Sequence, residues 1–129
     1  MPKAPPMDLS LPGIHHYAEQ YSSPEDALLQ EINAYTVTHH REANMLSGHL
    51  QGKVLEMLSS MIRPRRVLEI GTFTGYSALC MAKGLADDGE LHTLELRQED
   101  ADLARGFFDR SPLGKKIVSH VGDAAGIIP

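Results

Sequence analysis

The chain has 129 residues, a formal net charge of −5 and a composition that is ordinary for a globular protein. This length suits one domain, and the acidic balance excludes nonspecific nucleic-acid binding, which needs a basic stripe to displace counterions from phosphates. No apolar run reaches the roughly 18 residues that span a membrane, and a single cysteine without an apolar leader favours a reducing compartment. We therefore expect a cytoplasmic protein with no nucleic-acid or membrane partner.

The first part of the chain predicts an arm followed by a helix. Four prolines before Ile14 predict an extended N-terminal arm over residues 1–22. Ser23 and Pro24 are typical of a helix start, with the serine as the cap and the proline at the first helical position. Apolar residues at helical spacing extend this helix to about residue 40.

A second amphipathic helix is predicted after a break at residues 44–48, with Ser47 as its cap. Its apolar stripe consists of Leu50, Val54, Leu55, Leu58, Met61 and Ile62. We expect Met57 and Met61 to lie in the core and Pro64 to end the helix.

From Val67 onward, apolar strands alternate with helical segments. Strands are predicted over residues 67–71, 91–96 and 116–121, and helices over residues 76–86 and 98–110, with a short helical start after Gly122. Helices of this length between strands imply right-handed parallel crossovers. The fold class is therefore α/β, with residues 23–129 forming one domain.

The turn after the first strand is the strongest candidate for a ligand site. Gly71 and Gly75 stand where the strand must reverse into a helix, and a side chain at either position would obstruct the turn or a ligand. The third glycine of the dinucleotide pattern G-x-G-x-x-G is absent, and Phe73 and Thr74 occupy the place that a pyrophosphate needs. The turn therefore favours a nucleoside cofactor without phosphates.

Three acids stand at or near the ends of the three strands. Glu69 lies inside an apolar strand, where a carboxylate is costly unless it is paired, for example with a ligand amine. Glu95 could accept both hydroxyls of a ribose, and Asp123 could reach a purine amine. Three of these features have plainer interpretations. The glycine pair can be a structural turn, Glu95 a surface acid and Asp123 a helix cap. Their combination favours S-adenosylmethionine.

At these residues the chain resembles the cation-dependent small-molecule O-methyltransferases, class I enzymes typified by catechol and caffeoyl-CoA O-methyltransferases. The resemblance covers about residues 22 to 129. The matching segments are Met45-Leu46-Ser47-Gly48 with Gln51-Gly52, Val67 to Ser77 with its core Glu-Ile-Gly-Thr-x-Thr-Gly-Tyr-Ser, Leu94-Glu95, and Gly122 to Pro129. It implies N-terminal helices followed by the first half, in strand order 3-2-1, of a Rossmann-like methyltransferase sheet.

The family pattern also implies roles for individual residues around S-adenosylmethionine. Met45 and Ser47 would pack near its methionine part, and Glu69 and Ser77 would hold its amino-acid end. The remaining implied contacts are Gly71, Thr72 and Phe73 beneath the cofactor, Glu95 on the ribose, and Asp123 with Ala124 beside the adenine. In the full-length family enzyme, a divalent cation, usually magnesium, binds the acceptor oxygens.

The same resemblance implies that the metal ligands and the catalytic lysine follow Pro129, so no catalytic or metal-binding residue is expected within this chain. The leading hypothesis is the cofactor-binding part of an enzyme that methylates a hydroxyl of a small catechol-like or phenolic acceptor. One alternative is a non-catalytic module that self-associates, as a homo-oligomer, through the open edge of its first strand. A less favoured alternative is half of a nicotinamide-dependent oxidoreductase.

Overall fold

The computed structural model describes residues 13–128, in which helices border a three-stranded sheet. The strands are β1 (Arg66–Ile70), β2 (Glu90–Glu95) and β3 (Ile117–Val121). The helices are α1 (Ile14–Gln20), α2 (Ala27–His39), α3 (Gly48–Ile62), α4 (Tyr76–Ala82), α5 (Gln98–Phe108) and α6 (Ala124–Ile127), with short 3-10 helices at Ala43–Met45 and Gly114–Lys116. Among these residues no helix is long and apolar enough to cross a membrane.

All three strands run parallel in the order β1-β2-β3. This arrangement confirms the α/β class and the 3-2-1 order that the sequence predicted. A row of apolar side chains crosses the sheet in register, from Val67 to Leu91 to Ile117. Because side chains alternate along a strand, Glu69 and Thr93 lie two residues further on the same face and are paired in register.

The core lies between this face of the sheet and the helices that follow the strands. Leu91 is fully buried there with residues of α2, α4 and α5, and Val67 and Ile117 pack against the same cluster. The buried helical members include Leu29, Ile32, Tyr76, Leu79, Ala104 and Phe107. The sheet thus fixes the backbone positions of Glu69 and Thr93 on this face, and the helices pack over the same face.

The N-terminal prediction needs a correction. Residues 1–12 lie outside the described part of the chain, but residues 14–20 form α1 rather than an extended arm. The prolines that suggested an extended arm stop at Pro12, and Gly13, with φ of 87°, precedes the helix. A proline-free stretch with a glycine before it can form a helix, which the prolines upstream do not prevent.

Of the two predicted helix caps, Ser23 is wrong, and Ser47 occupies the cap position without making a capping hydrogen bond. The cap of α2 is Asp26, whose carboxylate accepts a hydrogen bond of 2.9 Å from the amide of Leu29, so Ser23 and Pro24 precede the helix. Ser47 does precede α3, but its backbone is already helical (φ −59°, ψ −45°) and its hydroxyl makes no capping bond. A capping side chain needs an extended backbone to reach the free amides.

The methionine stripe of α3 is not in the core. Met57 and Met61 are 54% and 75% exposed. Helix α3 instead meets α4 through small residues, since a Cβ on Gly52 would lie 2.7 Å from the Tyr76 ring. The hydroxyl of Ser59 donates a 2.6 Å hydrogen bond to the carbonyl of Met81, which fixes the second contact. Close approach of backbones, rather than the apolar stripe, determines this packing.

The closeness of α3 and α4 makes Gly84 intolerant of a side chain. A Cβ at Gly84 would lie 2.2 Å from the carbonyl carbon of Ser59, a backbone atom that cannot rotate away. We expect Gly84→Ala to lower the free energy of unfolding by about 2 kcal/mol or more. Gly106→Ala, in the open interior of α5, should raise it by about 0.5–1 kcal/mol. Denaturant unfolding measures both, and equal effects would contradict the close packing.

Candidate cofactor site

The loop between β1 and α4 is tied to the carboxyl end of β2. The amides of Gly71 and Thr72 both donate to the carbonyl of Leu94, at 2.8 and 3.1 Å, and the amide of Gly75 donates to Thr72 O at 2.9 Å. These bonds hold the loop above the sheet edge where the parallel strands end. Ligands of open α/β sheets bind at this edge.

The two glycines of the loop serve different purposes. Both have left-handed backbones, with φ of 97° at Gly71 and 86° at Gly75. A Cβ on Gly75 would also lie 2.6 Å from the Phe108 ring, so this glycine permits packing against α5. A Cβ on Gly71 would meet nothing within 4 Å, because the residue faces open space. Gly71 is therefore the position at which a ligand can approach the backbone.

Glu69 lies beneath this loop and is bonded only to hydroxyls. Its Oε1 accepts a short hydrogen bond from Ser77 Oγ, and its Oε2 accepts one of 2.6 Å from Thr93 Oγ1. Thr72 Oγ1 lies 2.6 Å from Thr93 Oγ1. Because Thr93 gives its proton to the carboxylate, Thr72 must be the donor in that pair.

No cation of the described residues pairs with Glu69. Burial raises the pKa of its carboxyl, the bonds from Ser77 and Thr93 oppose this rise, and the nearby charge of Glu95 adds to it. Burial is the largest of these effects. A half-buried carboxylate with neutral donors and a second carboxylate nearby is a site that a cationic ligand would stabilise.

Glu95 is held by two backbone amides. Its Oε2 accepts from the amide of Phe73 at 2.8 Å, and its Oε1 accepts from the amide of Arg97 at 3.1 Å. Each carboxylate oxygen keeps a second lone pair, so the group can still accept from vicinal hydroxyls. It is buried in this state, which makes it a fixed acceptor rather than a mobile surface acid.

Two cavities open on either side of Gly71. One is lined on its N-terminal side by Met45 and Ser47, and by Thr72, Phe73 and Ser77 from the loop and α4. The other, of about 260 Å³, lies between the ends of the strands. Its lining residues are Ile70, Gly71, Leu94, Glu95, Leu96, Gly122, Asp123 and Ala124. Nine of the ten sequence-predicted residues thus line one cavity or the other, and Glu69 bonds to a residue of the first.

Asp123 is also a helix cap, as its plainer interpretation held. Its Oδ1 accepts a 3.0 Å bond from the amide of Ala125 at the start of α6. The carboxylate remains exposed at the second cavity, so capping does not remove it from the site. Capping and contact with a ligand are compatible, because the second oxygen makes no bond to the described residues.

Two hydrogen-bonding threonines of the site were missed from the sequence. Thr93 was overlooked as a partner of Glu69, although the alternation of strand residues would have placed it on the same face once the register was known. Thr74 is fully buried, and its hydroxyl lies 3.0 Å from that of Thr36 in α2. This contact fills the middle of the loop and leaves no glycine-lined surface for a pyrophosphate, which disfavours the nicotinamide alternative.

Within residues 13–128 no three His, Cys, Asp or Glu side chains are grouped as a metal ion requires. Cys80 is buried, and burial raises the pKa of its thiol to about 12, so it is not a nucleophile at neutral pH.

Comparison with known proteins agrees with this geometry. Residues 19–128 match the family model described as O-methyltransferase. A catechol O-methyltransferase of Niastella koreensis is 32% identical over 118 residues, which cover 89% of this chain and 51% of that protein. A catechol O-methyltransferase of Mycobacterium tuberculosis is 38% identical over 79 residues, covering 61% of this chain and 36% of that protein.

Solved structures give the same result. The O-methyltransferase TomG of Streptomyces achromogenes, in complex with S-adenosylmethionine, superposes with a TM-score of 0.77 at 33% identity, over 88% of this chain and 51% of that one. The methyltransferase PaMTH1 of Podospora anserina, bound to S-adenosylhomocysteine, superposes with a TM-score of 0.82 at 29% identity, over 89% and 50%. The chain thus spans about half the length of the relatives it matches, and it belongs to the O-methyltransferase family.

Proposed function

We propose that this chain is the S-adenosylmethionine-binding portion of an O-methyltransferase. The observation that carries the proposal is Glu69, a half-buried carboxylate with hydroxyl donors and no cationic partner among the described residues. The ammonium group of a bound amino-acid moiety would supply the missing positive charge. Gly71, whose missing side chain opens onto both cavities, would let the rest of the cofactor pass over the backbone.

The remaining contacts follow the two cavities. On the first side, Met45, Ser47 and Ser77 would surround the methionine part. On the second side, Glu95 would accept the ribose hydroxyls, and Asp123 with Ala124 would border the adenine. Thr72 and Phe73 would form the floor between them. The support for these roles is that each of these residues lines one of two cavities that both reach Gly71.

When bound, the cofactor supplies a sulfonium methyl group that an oxygen nucleophile can attack. We propose that the whole enzyme transfers this methyl to a hydroxyl of a small catechol-like or phenolic acceptor. We assign no catalytic residue to residues 13–128. Tyr76 is the one titratable side chain among the described residues that line the first cavity; burial raises its pKa, and its hydroxyl donates to Glu25. A cytoplasmic location is likewise our proposal, supported by the single, buried cysteine.

A second candidate function is self-association through β1. This strand has no partner on its outer side in the described chain, and Leu68 and Ile70 are 55% and 66% exposed. Ile62 at the end of α3 lines one cavity with Arg66 and Val67 of β1, and both Met61 and Ile62 are exposed. An open strand edge next to an apolar helix face favours pairing with a second copy of this chain.

The cofactor proposal is tested by replacing Glu69. We expect Glu69→Gln to weaken binding of S-adenosylmethionine about 10- to 100-fold, because a hydrogen bond between charged groups contributes about 1.5–3 kcal/mol. The apo variant should unfold at the same or a higher temperature, since the buried charge is removed while the hydroxyl bonds can re-form. Titration calorimetry and thermal unfolding measure the two effects.

Glu99→Gln is the matched control, because it removes one negative charge from an exposed position in the first turn of α5. It should leave cofactor affinity within about twofold of the parent chain. If the parent chain binds no S-adenosylmethionine, or if both variants bind alike, the assignment of Glu69 to the ligand amine is wrong.

The raised pKa of Glu69 also predicts a dependence on pH. As pH falls through the folded-state pKa, the carboxylate is protonated and loses its attraction for an ammonium group, so cofactor affinity should fall. Stability of the apo chain should change in the opposite sense. Between the unfolded and folded pKa values the native state binds more protons than the unfolded state, so this residue's contribution declines as pH rises. Glu69→Gln should abolish both dependences, as calorimetry and unfolding across pH would reveal.

Self-association is tested by placing a charge on the exposed face of α3. If β1 and this face pair with a second copy, Met61→Lys should shift the chain toward the monomer in sedimentation velocity at tens of micromolar, with unchanged cofactor affinity. A parent chain that sediments as a monomer at this concentration would contradict the second candidate and leave the first unaffected.

A further inference from the structure

Phe73 has a backbone conformation that its neighbours must enforce. Its φ is 51°, in the left-handed region that a bulky side chain rarely adopts. Such a conformation persists only where surrounding contacts determine it. One contact is the bond from its amide to Glu95. The other is made by its ring, which packs edge-on against the His40 ring with centroids 4.5 Å apart and planes at 82°.

His40 is itself fixed on both ring nitrogens. The amide of Glu42 donates to Nδ1 at 3.0 Å, so Nδ1 carries no proton. The proton is therefore on Nε2, which lies 2.9 Å from Asp100 Oδ1 and donates to it. Both side chains are nearly enclosed, with 14% and 7% of their surface exposed. A histidine held in this way cannot rotate without leaving the Asp100 carboxylate without its donor.

The contacts of His40 and Phe73 belong to a closed cycle of contacts that includes Glu95. From Asp100, the second oxygen lies 2.6 Å from Arg97 Nε in an ion pair, although the N–H does not point at that oxygen. The backbone amide of Arg97 then donates to Glu95 Oε1, and the amide of Phe73 donates to Glu95 Oε2. Each residue of this cycle restrains the next. The Glu95 carboxylate receives both of its amide hydrogen bonds from residues of the cycle, Arg97 and Phe73.

The cycle also reaches the segment that brings Met45 and Ser47 to the site. His40 follows the last residue of α2 directly, and its Nδ1 holds the backbone at Glu42, immediately before the 3-10 helix Ala43–Met45. One side chain is therefore in contact with the segment that lines the first cavity, with the glycine loop, and with α5. These three segments are far apart in sequence and have no shared strand or helix.

We propose that His40, held by Asp100, is a positioning residue that sets the left-handed backbone of Phe73 and the orientation of Glu95 for the cofactor. His40 lines neither cavity. It acts through Phe73 and through the backbone at Glu42. This inference rests on the proposed function for its effect on affinity, but its effect on Phe73 is a property of the chain without ligand.

The test separates two roles of the His40 side chain: its hydrogen bond to Asp100 and the packing of its imidazole ring on Phe73. His40→Ala removes both. His40→Gln keeps a side-chain N–H that can reach Asp100 but has no ring, and His40→Phe keeps the ring but leaves Asp100 without a donor. His39→Ala is the control, since His39 is the exposed last residue of α2, immediately before His40. Asp100→Asn, which keeps an acceptor for His40, serves as a mild variant that should fold.

Amide hydrogen exchange followed by nuclear magnetic resonance gives the ligand-free readout. In His40→Ala the amides of Phe73 and Arg97 should exchange at least about tenfold faster relative to that of Leu91 in the central strand, and the Phe73 amide proton should shift. A merely structural loss would accelerate all three together. Unchanged relative protection of Phe73 would overturn the proposal.

Calorimetric titration with S-adenosylhomocysteine gives the second readout. We expect about tenfold weaker binding in His40→Ala and partial recovery in two variants, in His40→Gln because it restores a donor to Asp100 and in His40→Phe because it restores the ring against Phe73. If His40→Ala binds S-adenosylhomocysteine as tightly as His39→Ala does, the positioning role is wrong even if amide exchange at Phe73 changes. If the parent chain binds no S-adenosylhomocysteine, the proposed function fails, while the exchange of Phe73 still decides whether His40 sets the loop.

Discussion

The described structure depends on one costly feature, the Glu69 carboxylate that lies half-buried beneath a glycine loop. Hydroxyls of Ser77 and Thr93 satisfy its oxygens but do not neutralise it, and burial raises its pKa. Each donor comes from a different element, α4 and β2, so the parallel register of β1 with β2 and the tight turn into α4 are both needed. The sheet and the first crossover thus bring neutral donors to a charge, and no described residue supplies a counter-charge.

The N-terminal helices complete the site rather than merely cover the core. Thr36 of α2 contacts Thr74 in the middle of the loop, and His40, just after α2, packs on Phe73. Through these two contacts the loop is held from above, while Leu94 holds it from below by accepting two of its amides. A loop fixed on both sides can keep a non-glycine residue in the left-handed region, which a loop anchored only to the sheet would relax.

Much of this could be predicted from the sequence, because local signals were strong where the backbone has few choices. The positive φ of Gly71 follows from a glycine at a strand-to-helix turn, and the parallel direction of the strands follows from the helices between them. The strand order was implied by the family resemblance. The exposure of Met57 could not be predicted, since the apolar stripe of α3 indicates a buried face whatever covers it. His40 and Asp100 are 60 residues apart, and no spacing rule connects a histidine after one helix with an acid in another.

The charge balance of the site links ligand binding to folding. Glu69, Glu95 and Asp123 gather at one edge of a chain that already has a net charge of −5, and the charge of Glu95 adds to the raised pKa of Glu69. A ligand that carries an ammonium and a sulfonium group would relieve this repulsion only in the folded state, where the acids are held together. Its binding free energy would then add to stability in proportion to the logarithm of its concentration over Kd. The residues whose charges repel one another at this edge are therefore the ones that would attract a cation.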